Sequence, residues 1–210
     1  MSIEVVKGRE ATIYFDGKKC IHSRNCVLDR PDVFVPNVKG EWIYPDKASV
    51  AELMLLAKNC PSGAISCQMN DATPLENAPI VNTVRVRENG PLAFNAPVEI
   101  DARPAGYRAT LCRCGQSANK PLCDCSHVAA GFTATGEVPA QAFEALAARN
   151  GILSVTPLKN GPLIVKGNHE VVTGTGKTTN KSTETHLCRC GHSGNKPYCD
   201  GSHIRVGFTS

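Results

Sequence analysis

Apolar and polar residues alternate along several short stretches of this chain and follow a helical period along only two. Ala11-Thr-Ile13-Tyr-Phe15-Asp alternates up to an Asp16-Gly17 turn, which predicts a strand. Val84-Arg-Val86-Arg and Leu163-Ile-Val165-Lys alternate in the same way and predict half-buried strands. Val50, Leu53, Met54 and Ala57 recur on one helical face, with Asp46 placed to cap the helix and Cys60-Pro61 placed to stop it. Glu137 to Asn150 is Ala-rich, with Pro139 near its start and Gly151 just past its end. That punctuation predicts a second helix, burying Phe143, Leu146 and Ala147. Asn70 to Pro79, rich in Pro, Asn and Asp, reads as a linker. The pattern is that of an α+β chain.

The later strands belong to a repeat. Arg87-Glu-Asn89-Gly90-Pro91-Leu92 matches Leu158-Lys-Asn160-Gly161-Pro162-Leu163, and Gly131-Phe132 matches Gly207-Phe208. Between these landmarks lies a segment present twice, from Cys112 to His127 and from Cys188 to His203. Each copy reads as strand, Asn-Gly-Pro turn, strand, polar loop, cysteine-rich segment and Gly-Phe. The predicted organisation is an N-terminal module over 1–77, a first repeat over 78–135, a connecting helix over 136–150 and a second repeat over 151–210. Two copies of one small β-rich module are expected to pack as a pseudo-symmetric pair.

Composition narrows the chemistry. The 210 residues carry a formal net charge of +4 with no basic run, so nucleic-acid binding gains no support. Met1 to Lys7 lacks the features of a secretory signal, and the longest apolar-rich run, Val50 to Ala57, contains Glu52 and is too short to span a bilayer. A soluble, cytoplasmic protein with no membrane partner is expected. In that compartment thiols stay reduced, so eleven cysteines point to metal ligation, and an odd count suits a disulfide framework poorly. Each repeat offers three cysteines and one histidine: Cys112, Cys114, Cys123 and His127, then Cys188, Cys190, Cys199 and His203. On chemistry alone this set suits an iron–sulfur cluster and a structural zinc equally.

Both copies resemble the CDGSH iron–sulfur signature, C-x-C-x2-[ST]-x3-P-x-C-D-G-[SAT]-H. The second copy matches through Cys188, Cys190, Ser193, Pro197, Cys199, Asp200, Gly201, Ser202 and His203; the first departs only at Cys125, where the signature has Gly. The resemblance, to a family that includes the mitoNEET-like proteins, implies a [2Fe–2S] cluster in each copy, held by its three cysteines and one histidine. It also implies that Asp124 and Asp200 shape the ligand loop, although a turn-forming Asp explains them as well. Cys125 reads as a tolerated substitution, costing about 1 kcal/mol if the position needs positive φ. A neutral imidazole ligand makes the cluster less negative than four thiolates would and leaves it open to acid.

The N-terminal module holds a third constellation. Cys20-Ile-His22-Ser23-Arg-Asn-Cys26 and the distant Cys60-Pro61-Ser62-Gly63-Ala64, with Trp42 between them, resemble the divergent single-cluster ferredoxins over residues 11 to 68. The resemblance implies Cys20, Cys26 and Cys60 as ligands of a [3Fe–4S] or [4Fe–4S] cluster, with His22, Ser23 and Cys67 as candidates for a fourth, or else a module that has lost its cluster. His169, His186 and His192 read as exposed turn residues. No phosphate loop, nucleophile–base arrangement or carboxylate pair occurs, so no enzyme is expected. The function expected is one-electron transfer or cluster storage and transfer by a monomer with an internal pseudo-dimer. Its partner would be a redox protein or an apo iron–sulfur acceptor. A redox or iron sensor and a zinc-based interaction protein are the alternatives.

Overall fold

The alternating stretches form strands in the computed structural model, which describes residues 3–210. The chain is mixed α+β, mostly strand with few and short helices, and it divides into two units, Met1–Asn77 and Ala78–Ser210.

In the first unit β1 (Glu4–Lys7), β2 (Ala11–Phe15) and β3 (Ile65–Met69) form an antiparallel sheet with β2 central. Its register pairs Ile13 with Cys67. Period-two patterning turns Ala11 and Ile13 inward, against Val33, Phe34, Leu53, Leu56 and Ala57. The long helix is α2 (Val50–Asn59), and its cap is not Asp46. Ser49 Oγ accepts from Glu52 N–H while Glu52 Oε2 accepts from Ser49 N–H, a reciprocal box that leaves Asp46 one short turn too early. Asp46 accepts instead from Arg9 N–H at 2.7 Å. A short helix, α1 (Asn25–Asp29), is tied to the end of α2: Asn25 donates to Asn59 O at 2.9 Å and Asn59 donates to Asp29 at 3.1 Å. This tie brings Cys26 towards Cys60.

The second unit contains β4 (Thr83–Val86), β5 (Leu92–Ile100), β6 (Arg103–Leu111), β7 (Leu153–Pro157), β8 (Leu163–Val172) and β9 (Thr178–Leu187) in one sheet. β4, β5 and β6 pair antiparallel in order, as do β7, β8 and β9. The two sets are then joined reciprocally: β5 pairs parallel with β7 and β8 pairs parallel with β4. Both long strands carry a bulge, between Asn95 and Val98 in β5 and between Lys166 and His169 in β8. The two repeats share one core, in which Val86, Phe94 and Leu111 of the first meet Val155, Val165 and Leu187 of the second. Each fully buried Leu or Phe of that shared core contributes about 1.5–3 kcal/mol.

Further expectations fail in this unit. Residues 136–150 form no helix. Val138 enters the shared core, Gln141 N–H donates to Thr179 O, and Arg149 O accepts from Asn82 N–H at 2.7 Å. Arg149 also pairs with the buried Glu170 at 2.8 Å. These anchors hold the segment extended along the sheet, and Phe143 and Ala147 stay exposed with no core to receive a helical stripe. His169 is the second correction: it is fully buried on β8, not exposed in a turn. Gly167, at φ 115°, makes the bulge, and the carbonyl of Gly167 can only accept, so His169 Nδ1 donates to it at 2.8 Å. Nε2 lies 2.9 Å from Thr185 Oγ1. His186 is exposed but lies on β9, beside Glu184 at 3.2 Å; His192 is exposed in a loop.

Candidate metal centres

β6 and β9 each run directly into a ligand loop. In the first loop Cys112 N–H donates to Pro121 O and Cys123 N–H donates to Thr110 O, both at 2.9 Å, which folds the segment back on itself. In the second, Cys188 N–H donates to Pro197 O at 2.7 Å and Cys199 N–H to His186 O at 2.9 Å. The Lys120–Pro121 and Lys196–Pro197 peptide bonds are cis. A left-handed residue then starts a single helical turn, α3 (Ser126–Ala129) or α4 (Ser202–Arg205), which carries the histidine. The four donors fall into two pairs. Cys112 Sγ is 3.7 Å from Cys114 Sγ and Cys123 Sγ is 3.5 Å from His127 Nδ1. The second loop repeats this at 3.7 and 3.4 Å.

Backbone N–H groups point at the sulfurs. Gln116 N–H donates to Cys114, Cys125 N–H to Cys123, His192 N–H to Cys190 and Gly201 N–H to Cys199, each at 3.4 Å. Burial pushes the Cys123 thiol up to about 12, and the Cys125 N–H opposes that rise. The apo thiol therefore keeps its proton, and metal binding must release it. Asp124 ties the loop across its width, accepting from Ala118 N–H at 2.8 Å, Ser126 N–H at 3.0 Å and Ser126 Oγ at 2.6 Å. Burial works against its charge, but these bonds outweigh it and hold the carboxyl at about 2. Asp200 accepts likewise from Gly194 and Ser202 N–H, and the Ser202 side chain, then these two bonds, hold it well below the ordinary carboxylate range. Both aspartates are thus clamps across the loop as well as turn residues.

The arginine inside each C-R-C has a role that reading the ligands alone misses. Arg113 is 1% exposed, donates to the carbonyls of Gly90, Arg87, Thr135 and Ala134, and lies 5.4 Å from the Phe132 ring centroid. Arg189 donates to Gly161 O, Leu158 O and Ser210 Oγ and lies 5.3 Å from Phe208. One buried cation therefore binds the Asn-Gly-Pro turn and the Gly-Phe tail to the ligand loop, which accounts for the repeat beyond the ligands. The usable signal is internal: both copies have Arg at this position. Burial pulls Arg113 down to about 10, opposed by negative charge on Cys188 of the other repeat and then on Glu88 and Cys114.

The two loops also touch. A Cβ on Gly115 would sit 2.6 Å from Cys190 O, and one on Gly191 would sit 2.5 Å from Cys114 O. Both glycines have positive φ, 82° and 83°. Each ligand carbonyl thus packs on the glycine that follows the equivalent ligand of the other repeat.

In the first unit Cys20, Cys26 and Cys60 line one cavity of about 380 Å³, with His22, Ser23, Trp42 and Val38 among its other walls. His22 and Arg24, at φ 50° and 64°, turn the loop between the first two cysteines. His22 Nδ1 lies 3.9 Å from Cys20 Sγ, which also accepts from His22 N–H at 3.4 Å. Burial raises the Cys26 thiol, the N–H of Val27 opposes this, and negative charge on Cys60 and Cys20 adds to the rise. Cys67 lies elsewhere, in the core on β3, with its Sγ 3.7 Å from Leu53 O.

Two stretches, residues 82–128 and 160–204, match the family described as iron-binding zinc finger CDGSH type, and residues 6–70 match the divergent 4Fe-4S mono-cluster family. The chain belongs to the CDGSH family. It is a tandem CDGSH iron–sulfur protein with an N-terminal divergent mono-cluster domain. YjdI of Escherichia coli (strain K12) is 39% identical over 59 residues, 28% of this chain and 75% of that protein, and YjdI of Escherichia coli O157:H7 matches equally. No helix among the described residues is long and apolar enough to cross a membrane.

The donor set fits the iron–sulfur chemistry of the CDGSH family. Around a tetrahedral metal with metal–sulfur bonds of about 2.3 Å, two sulfurs stand about 3.7 Å apart and a sulfur and an imidazole nitrogen about 3.5 Å. Each observed pair has that spacing. A bound cluster would supply one-electron redox chemistry; the chain supplies its ligands, N–H donors and a buried cation.

Proposed function

We propose that each CDGSH repeat holds a [2Fe–2S] cluster, with Cys112 and Cys114 on one iron and Cys123 and His127 on the other. Cys188 with Cys190 and Cys199 with His203 do the same in the second repeat. The observation that carries this reading is the pairing of donors at tetrahedral edge distances. Two such pairs in one loop suit two metal atoms, one held by each pair. The reciprocal strand exchange and the reciprocal glycine contacts support reading the repeats as a pseudo-symmetric pair. Cys20, Cys26 and Cys60, on the walls of one cavity, would hold a third, [4Fe–4S] cluster in a ferredoxin-like module, with His22 and Ser23 on the same walls as candidates for a fourth ligand.

The protein acts as a one-electron carrier, exchanging electrons with a redox partner protein, and is not an enzyme. N–H···S bonds and the buried arginines favour the reduced, more negative state and raise the potential. A second role, cluster donation to an apo-acceptor, is favoured by one observation: the thiolates of the first loop are buried while His127 is half-exposed. The test is iron and sulfide analysis with electron paramagnetic resonance of the full chain. Expected are equal iron and sulfide, with two [2Fe–2S] signals and one [4Fe–4S] signal on reduction. A colourless protein with stoichiometric zinc and no sulfide would refute the reading.

A further inference from the structure

We infer that the two [2Fe–2S] centres form one coupled redox pair, exchanging an electron directly through the contact between Cys114–Gly115 and Cys190–Gly191. The inference rests on the reading that each CDGSH loop holds such a cluster. Cys114 and Cys190 are ligands in that reading, and their own carbonyl groups make the contact. A Cβ added to Gly191 would come within 2.5 Å of Cys114 O and 2.9 Å of its carbonyl carbon; the reciprocal distances from Gly115 to Cys190 are 2.6 and 3.0 Å. No side chain fits between the two backbones, so from one ligand residue to the other the path crosses a single van der Waals gap. Because the contact occurs in both directions, two equivalent paths run in parallel.

The surroundings favour coupling over insulation. The residues at the contact also carry N–H···S bonds: Cys114 Sγ accepts from Gln116 N–H and Cys190 Sγ from His192 N–H, each at 3.4 Å. A change of charge at one centre therefore acts on peptide dipoles packed against the other. In a low-dielectric interior such a change of charge is felt strongly across one contact. The shared core, with Leu122 and Tyr198 of the two loops packed against it, keeps the spacing rigid.

The exchange step balances simply. One centre loses an electron and the other gains it, and no bond or proton moves. The first electron comes from an external one-electron donor protein, and the pair can receive it at one loop and release it from the other. A second electron enters against the charge of the first. It is therefore accepted at a more negative potential than the first by more than any intrinsic difference between the sites.

A reductive titration of the full chain, followed by electron paramagnetic resonance, tests this. The readings are taken at a temperature where the fast-relaxing [4Fe–4S] signal is broadened away. At half reduction of the [2Fe–2S] centres, an unsplit signal is expected. At full reduction, spin–spin broadening or splitting is expected, together with two resolved reduction steps. The variants Cys123→Ser and Cys199→Ser, each keeping one cluster, should titrate in one step without broadening. Unbroadened signals of full intensity at complete reduction, or a wild-type titration equal to the sum of the two variants, would overturn the coupling alone. If either variant loses both signals, the half- and fully-reduced wild-type spectra decide the matter unaided. Absence of any [2Fe–2S] signal in the reduced wild type would overturn the underlying assignment as well.

Discussion

Cys125 and Gly201 occupy the same place in the two ligand loops, and both adopt left-handed backbone, with φ 68° and 85°. Each gives its N–H to the preceding ligand sulfur at 3.4 Å. A Cβ at Gly201 would meet nothing within 4 Å, so the place demands a conformation but has room for a side chain. Gly115 and Gly191 differ from this pair. They combine positive φ with a neighbouring carbonyl that leaves no room for any side chain. Of the two kinds of glycine in the motif, one is replaceable at modest cost and the other holds the loops together.

That contrast can be broken at several points. The largest effect is expected from Gly191→Ala or Gly115→Ala. Overpacking and a positive φ together cost on the order of 3 kcal/mol, and because the contact is reciprocal both clusters should be weakened. Thermal unfolding followed by visible absorption would show one early transition for both; retention of the second cluster in Gly115→Ala at full stability would break the comparison. Arg113→Met and Arg189→Met should come next, at about 2–3 kcal/mol, since each strands several buried carbonyls. Chemical denaturation measures it, and a change below about 0.5 kcal/mol would remove the buried-strut role.

Acid separates ligands from clamps. Burial lowers His127 from its ordinary value, with Asp124 opposing and Arg113 and Arg87 adding to the fall. The neutral, ligating form is therefore fully favoured above the ordinary value of about 6.5 and is lost as pH falls below it. Asp124 contributes above its unfolded value and fails only as pH falls through about 2. First-cluster loss at mildly acidic pH should thus be slowed several-fold by His127→Cys, read as bleaching rate. Asp124→Ala should instead lower stability by about 1 kcal/mol at neutral pH. Equal bleaching of wild type and His127→Cys would contradict the labile-histidine account. The smallest effect is that of Cys125→Gly, expected to stabilise by about 1 kcal/mol with unchanged spectra.

Much of the candidate site is legible in the amino-acid sequence because the motif residues act locally. Cys-x-Cys and Asp124 bond within a few residues of themselves, so spacing carries their geometry. What the sequence hides is tertiary context. Glu137 to Asn150 has helical punctuation, but Val138, Gln141 and Arg149 find partners across the sheet that a helix would forfeit. His169 reads as a turn residue because nothing local signals that the Gly167 bulge rolls it inward. Asp46 and Ser49 both suit a helix cap, and Glu52, three residues after Ser49, decides between them. The shared core is invisible for the same reason: alternation in Val84 to Val86 or Leu163 to Val165 says which face is buried, not that the other repeat buries it.

The pairing of donors is the claim on which the rest depends, and iron-57 Mössbauer spectroscopy of the oxidised full chain tests it most directly. Once the contribution of the [4Fe–4S] centre is subtracted, the account predicts two ferric doublets of equal area, one from all-sulfur irons and one, with the larger quadrupole splitting, from irons that also carry a histidine nitrogen. His127→Cys should halve the second doublet and His127→Cys with His203→Cys should abolish it. A single ferric environment in the wild type, or a spectrum unchanged by these substitutions, would contradict the paired-donor assignment.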